Sequence, residues 1–174
     1  GVIVWSFTWA PAQTVTISDI YVRESTEQVA EDPKPEVAPA APTADASDVL
    51  AVYSEAYPVN PGWGYCEGWG QSTALQELDL AGNHVLYYKN FNYLGWGCSA
   101  TIDASIYNKL HMDIWAAAAG SIRVVPIYGG AGLTTDDTHG KVVTLVEGWN
   151  SVDLNLATDF AGLNLESIFQ FKFD

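Results

Sequence analysis

Along most of this chain large apolar residues alternate with small or polar ones, the period of two that sends successive side chains to opposite faces of a β-strand. Over 1–25 the pattern predicts a β-hairpin. Ile3, Trp5, Phe7 and Trp9 share one face, a turn falls at 10–13, and Val15, Ile17 and Tyr21 or Val22 pack from the second strand. Further strands are expected over 48–54, 74–80, 85–89, 106–116, 121–128, 142–147, 151–156 and 168–173, with a turn at 81–83. The alternation is cleanest in 106–116, where Leu110, Met112 and Ile114 face one way and Lys109, His111, Asp113 and Trp115 the other. Helical periodicity is nearly absent, and Gly and Asn punctuate the strands. The fold class is therefore all-β, an antiparallel β-sandwich or jelly roll.

The alternation stops over 26–46, a stretch with Pro33, Pro35, Pro39 and Pro42, many alanines, several acids and no aromatic residue. Such a composition buries too little apolar surface to offset its ordering entropy, so it reads as an extended, semi-stiff linker and a domain boundary. Three parts result: a hairpin (1–25), a linker (26–46) and a sandwich (47–174). VWSFTW at 4–9 and IFQFKF at 168–173 share one pattern, but only the first is followed by a further strand, TVTISDIYV. The sandwich thus lacks its last strand, and 1–25 resembles the end of another copy. Either the chain is cut from tandem modules, or 14–22 fills the vacancy, in its own chain or in a neighbouring copy; a linker of about 20 residues reaches roughly 65 Å when extended.

Composition narrows the function. The chain is 48% hydrophobic and 13% aromatic, yet carries a formal net charge of -14. Nucleic acid and anionic membranes need clustered Lys or Arg, so neither is expected as a partner; a neutral glycan has no such requirement. No apolar run is long enough to span a membrane. The first residues lack the basic start and apolar stretch of a signal peptide, so Gly1 reads as a cut point.

One stretch stands out chemically. PGWGYCEGWGQST (61–73) and its echo GWGC (95–98) place Trp63, Trp69 and Trp96 each between two glycines, with the only two cysteines, Cys66 and Cys98, beside them. In a non-cytosolic protein a lone cysteine pair is most simply a disulfide. Closing its loop of about 30 residues stabilises by roughly 3 to 4 kcal/mol and would draw the tryptophans together. Flanking glycines leave an indole's faces uncovered, which suits the C–H face of a sugar ring. Tyr65 and Tyr93 would extend the platform, and Glu67, Gln71 and Ser72 would bond hydroxyls. The competing reading is that these tryptophans pack the core or its rim.

Taken together, DVLAVYSEAY (48–57), GWGQST (68–73), LAGNHVLYYKNFNYLGW (80–96), IDASIYNKLHMDIW (102–115), GWNSVDLNL (148–156) and IFQFKFD (168–174) resemble a β-sandwich carbohydrate-binding-type module, galactose-binding-like in fold. Modules of this kind are appended to secreted or surface glycan-degrading bacterial proteins, including laminarinase-like glycoside hydrolases. The resemblance implies non-catalytic binding of a polysaccharide such as a β-glucan, neighbouring modules as partners, and an extracellular or cell-surface location. It also implies that TISDIY (16–21) is a last strand, and that a structural calcium would sit between Glu55 and Asp19. Two carboxylates supply few of the six to eight or so oxygens that calcium takes, so backbone carbonyls would complete the shell. The cysteine pair and the Gly-Trp-Gly density depart from the family pattern. No other cofactor is expected.

Catalytic patterns are missing. Glu77 and Asp79 imitate half of a laminarinase strand, but Ala81, Gly82 and Asn83 follow where a second glutamate would be needed. His84, His111 and His139 lack zinc spacing, and TTDDTHG (134–140) is polar enough to bind a cation but reads first as a hairpin turn. The rival to a binding module is a structural repeat of a surface adhesin, or a strand-swapped filament in which the aromatics pack between modules.

Overall fold

The computed structural model describes residues 31–129 and 137–174. The hairpin expected over 1–25, including Asp19 and the strand 14–22, lies outside the described residues, as does part of the turn at 134–140.

The described residues form nine strands: β1 (Trp63–Gly64), β2 (Ala74–Asp79), β3 (His84–Lys89), β4 (Leu94–Ile102), β5 (Lys109–Ala116), β6 (Gly120–Tyr128), β7 (Lys141–Leu145), β8 (Gly148–Asn155) and β9 (Ile168–Phe173). A five-stranded antiparallel sheet in the order β1-β4-β9-β6-β7 forms one layer, and the antiparallel pairs β2–β3 and β5–β8 form the other. The fold is the expected all-β antiparallel sandwich. Among the described residues the one α-helical element, α1 (Leu156–Asp159), is a single turn capped by Asn155, whose side chain accepts from the Ala157 and Thr158 backbone N–H groups.

Period-two alternation explains why these segments pair as they do. In β9, Phe171 and Phe173 point inward and register against Pro126 and Val124 of β6 and against Trp96 and Leu94 of β4. Leu94, Val124, Phe171 and Phe173 join Val152 and Leu154 of β8 in one buried cluster, against which Tyr88 of β3 and Leu110, Met112 and Ile114 of β5 pack. The β2–β3 turn forms where expected. Ala81 and Gly82 both take positive φ, 58° and 89°, the pairing that a tight two-residue hairpin requires, and the Asp79 carboxylate accepts the Gly82 N–H at 2.6 Å.

Two expectations need correction. Residues 48–54 do not form a strand: a 3-10 turn at Ala46–Asp48 leads to one parallel bridge, Ala51 to Val59. Their alternation reflects burial, since Leu50 and Val52 pack against the core while no ladder runs alongside them among the described residues. Conversely, β4 forms where no strand was expected. Its Gly-rich sequence reads as loop, yet its N-terminal half is held between β1 and β9 by register pairs on both sides.

Candidate functional site

In an extended strand, the sequence Gly-Trp-Gly sends the tryptophan to one face and both glycines to the other. In β4 the tryptophan goes inward. Trp96 packs 5.1 Å from Phe173 and 5.3 Å from Tyr65, and its Nε1–H donates to Tyr88 Oη at 2.7 Å. Trp63 of β1 also faces inward, 5.6 Å from Phe171, with its Nε1 buried and unpaired. Tyr65 completes this interior group: it lies edge-on to Tyr53 and Trp96, and its hydroxyl donates to the Val52 carbonyl. Burial raises the Tyr88 and Tyr65 hydroxyl pKa values, and it pushes that of Tyr53 up to about 12, with Glu77 and Glu55 adding to the rise.

The glycines consequently form the outer surface. Gly64 of β1 and Gly97 of β4 are register partners, and Gly95 lies two residues away on the same face. No side chain rises from this patch, so two others come down onto it. A Cβ on Gly95 would lie 2.6 to 2.7 Å from three ring carbons of Trp69, which shows how closely the indole rests on the sheet. A Cβ on Gly64 or Gly97 would meet Glu67 Oε1 at 2.7 or 2.8 Å. An open groove of about 340 Å³ runs alongside, lined by Gly64, Gly97 and Glu67 with Gly62, Cys98, Ser99, Phe169 and Gln170.

Gln71 positions both side chains. Its Oε1 accepts the Trp69 backbone N–H at 2.9 Å, and its Nε2 donates to the Glu67 carbonyl at 2.6 Å. Tyr93, immediately before β4, anchors the same loop, its hydroxyl donating to the Trp69 carbonyl at 2.7 Å. Ser72 bonds Asn92 and Asn90 rather than the groove.

Of the residues expected to form a platform, Trp69 and Glu67 therefore lie at the outer surface, Gln71 and Tyr93 hold their loop, and Trp63, Tyr65 and Trp96 face the interior. The disulfide is absent. Both cysteines are free thiols: Cys66 Sγ accepts from Gln71 Nε2, while Cys98 Sγ points to the Pro61 carbonyl. The strand register explains this, because β4 pairs Cys98 with Trp63 and not with Cys66. Ser99, Phe169 and Gln170 escaped the sequence reading. The signal that would have found them is the register of β4 against β9, which places Gln170 opposite Gly97.

Glu55 pairs with His84 Nδ1 at 3.2 Å, and Asp19, the other carboxylate of the expected calcium site, lies outside the described residues. Among the described residues no group of three or more His, Cys, Asp or Glu is placed to hold a metal ion. Glu77 and Asp79 stand on β2 opposite Leu86 and His84, away from the glycine floor.

Neither a protein-family model nor a curated protein matches the chain. Among solved structures, a family 11 carbohydrate-binding module from Clostridium thermocellum, in complex with a β-1,3-1,4-mixed-linked tetrasaccharide, is similar with a TM-score of 0.47 and 19% identity. The match covers 66% of this chain and 79% of that one.

Proposed function

We propose that this chain is a non-catalytic carbohydrate-binding module that seats a neutral polysaccharide, such as a β-glucan, in the open groove along the glycine floor of its five-stranded sheet. The observation that carries the reading is the floor itself. Gly64, Gly95 and Gly97 let the Trp69 indole and the Glu67 side chain lie directly against the sheet, and Glu67, Ser99 and Gln170 supply polar groups beside an open groove. An apolar plane with a few fixed polar groups at one rim matches the two kinds of surface on a sugar ring.

Charge supports a neutral ligand. The net charge of -14, together with the Glu67 carboxylate at the groove, repels a polyanion. Binding, not hydrolysis, suits the groove, because Glu67 is the one carboxylate among its described lining residues and glycoside hydrolysis ordinarily uses two. A polysaccharide ligand would place the chain at the cell surface or outside it.

The test is titration of the chain with soluble β-1,3-glucan and mixed-linkage glucan, followed by calorimetry. Saturable binding that weakens by about 1 to 3 kcal/mol in Trp69→Ala, with the fold intact, is the expected result. A folded chain that binds no member of a neutral-glycan panel overturns the proposal.

A further inference from the structure

The proline-rich stretch does not run free over its described part. Over residues 32–37, Lys89 Nζ pairs with Asp32 at 3.0 Å, Tyr87 Oη donates to the Pro33 carbonyl at 3.0 Å, and Trp149 Nε1–H donates to the Val37 carbonyl at 2.9 Å. Pro35, midway between the two carbonyl anchors, is buried. Tyr87 and Lys89 stand on the outer face of β3, opposite the inward Tyr88, and Trp149 stands on the outer face of β8, opposite Trp115 of β5.

We propose that Tyr87, Lys89 and Trp149 form a receptor surface for an extended proline-rich chain, and that residues 32–39 are its resident occupant, acting as a clasp across the second layer. Four features argue for recognition. Both hydrogen bonds are aimed at backbone carbonyls, the groups a proline-rich chain always offers and cannot satisfy within itself. One aromatic donor lies on each side of a buried proline, so the apolar contact and the polar anchors alternate along the segment. Pro33, Pro35 and Pro39 fix their own φ and bias Asp32, Lys34 and Ala38 toward extended backbone, so little entropy remains to be lost on docking. Finally, the anchors fall on two strand pairs, β2–β3 and β5–β8, that share no ladder among the described residues. The segment thus supplies a connection that sheet hydrogen bonds do not.

The clasp lies on the layer opposite the glycine floor, so it stands independently of the carbohydrate reading. Glutamyl endopeptidase tests it on the full chain. The exposed Glu36–Val37 bond lies between the Pro33 and Val37 anchors, and a protease needs several residues on both sides of its cut to be loose. Cleavage after Glu36, identified by mass spectrometry, should be at least about tenfold slower than in a synthetic peptide DPKPEVAPA. The Tyr87→Phe, Trp149→Phe double variant, which loses both anchoring hydrogen bonds, should recover about tenfold in rate. Amides of β2–β3 should then exchange faster while those of β6–β9 stay protected. Pro35→Gly, which leaves both layers' side chains intact, should reproduce the effect and covers the case in which the double variant unfolds. Wild-type cleavage at the peptide's rate overturns the proposal. So does a folded Pro35→Gly variant cut no faster than wild type.

Discussion

The Trp69 indole lies flat against the backbone of Gly95, so close that a single added methyl group would fall 2.6 Å from its ring carbons. Gly95→Ala should therefore push the indole off the sheet. Overpacking of this kind costs about 1 to 3 kcal/mol, and it should appear as a lower denaturation midpoint together with weaker glycan binding in calorimetry. Unchanged stability and unchanged binding would show that the contact is slack.

The tryptophans should separate by role under substitution. Trp96→Ala removes an interior ring and its bond to Tyr88, and should cost about 3 to 5 kcal/mol in urea unfolding. Trp69→Ala should cost less than half of that and act chiefly on ligand affinity. Equal losses of stability would place both rings in the core.

The β2–β3 turn carries a correctable defect. Ala81 holds φ at 58°, a conformation that costs an L-residue about 1 to 2 kcal/mol and that Asn tolerates better. Ala81→Asn creates the Asn-Gly pair favoured in such turns and should raise stability by about 0.5 to 1 kcal/mol. Thermal unfolding at fixed pH measures it, and a lower midpoint would count against the turn assignment.

His84 provides a pH signature. Its hydrogen bond to Glu55 raises its pKa above the ordinary 6.5, desolvation opposes the rise, and the charges of Glu55, Glu77 and Asp79 add to it. Because the folded value is raised, the pair's contribution is fully present below the unfolded pKa and is lost as pH rises through the folded one. An NMR titration should find the His84 midpoint above 6.5, and Glu55→Gln should bring it back toward that value. A midpoint that ignores Glu55→Gln would assign the shift elsewhere.

Strand identity was legible wherever one face is apolar and the other polar. Leu110, Met112 and Ile114 face inward in β5, and the β8 and β9 cores follow the same rule. The Gly-Trp-Gly triplets were harder, because the rule was available but the exposed glycine suggested an exposed indole. Packing decides which face a strand turns inward, and in β1 and β4 Trp63 and Trp96 pack against Phe171 and Phe173 of β9. A lone cysteine pair suggests a disulfide, but a count carries no register, and Cys98 faces Trp63 across the ladder. The proline-rich stretch was read from composition alone, which cannot register that Trp149, 112 residues away, donates to the Val37 carbonyl.

The glycine floor also bears on how a ligand would be held. A binding surface made of side chains must freeze rotamers when it closes on its guest, at about 0.5 to 1.5 kcal/mol for each long one immobilised. Gly64, Gly95 and Gly97 have no rotamers to freeze, and the two side chains laid over them, Trp69 and Glu67, are already packed against the sheet. The disorder surrendered on contact is then confined to the rim, and most of it belongs to the guest.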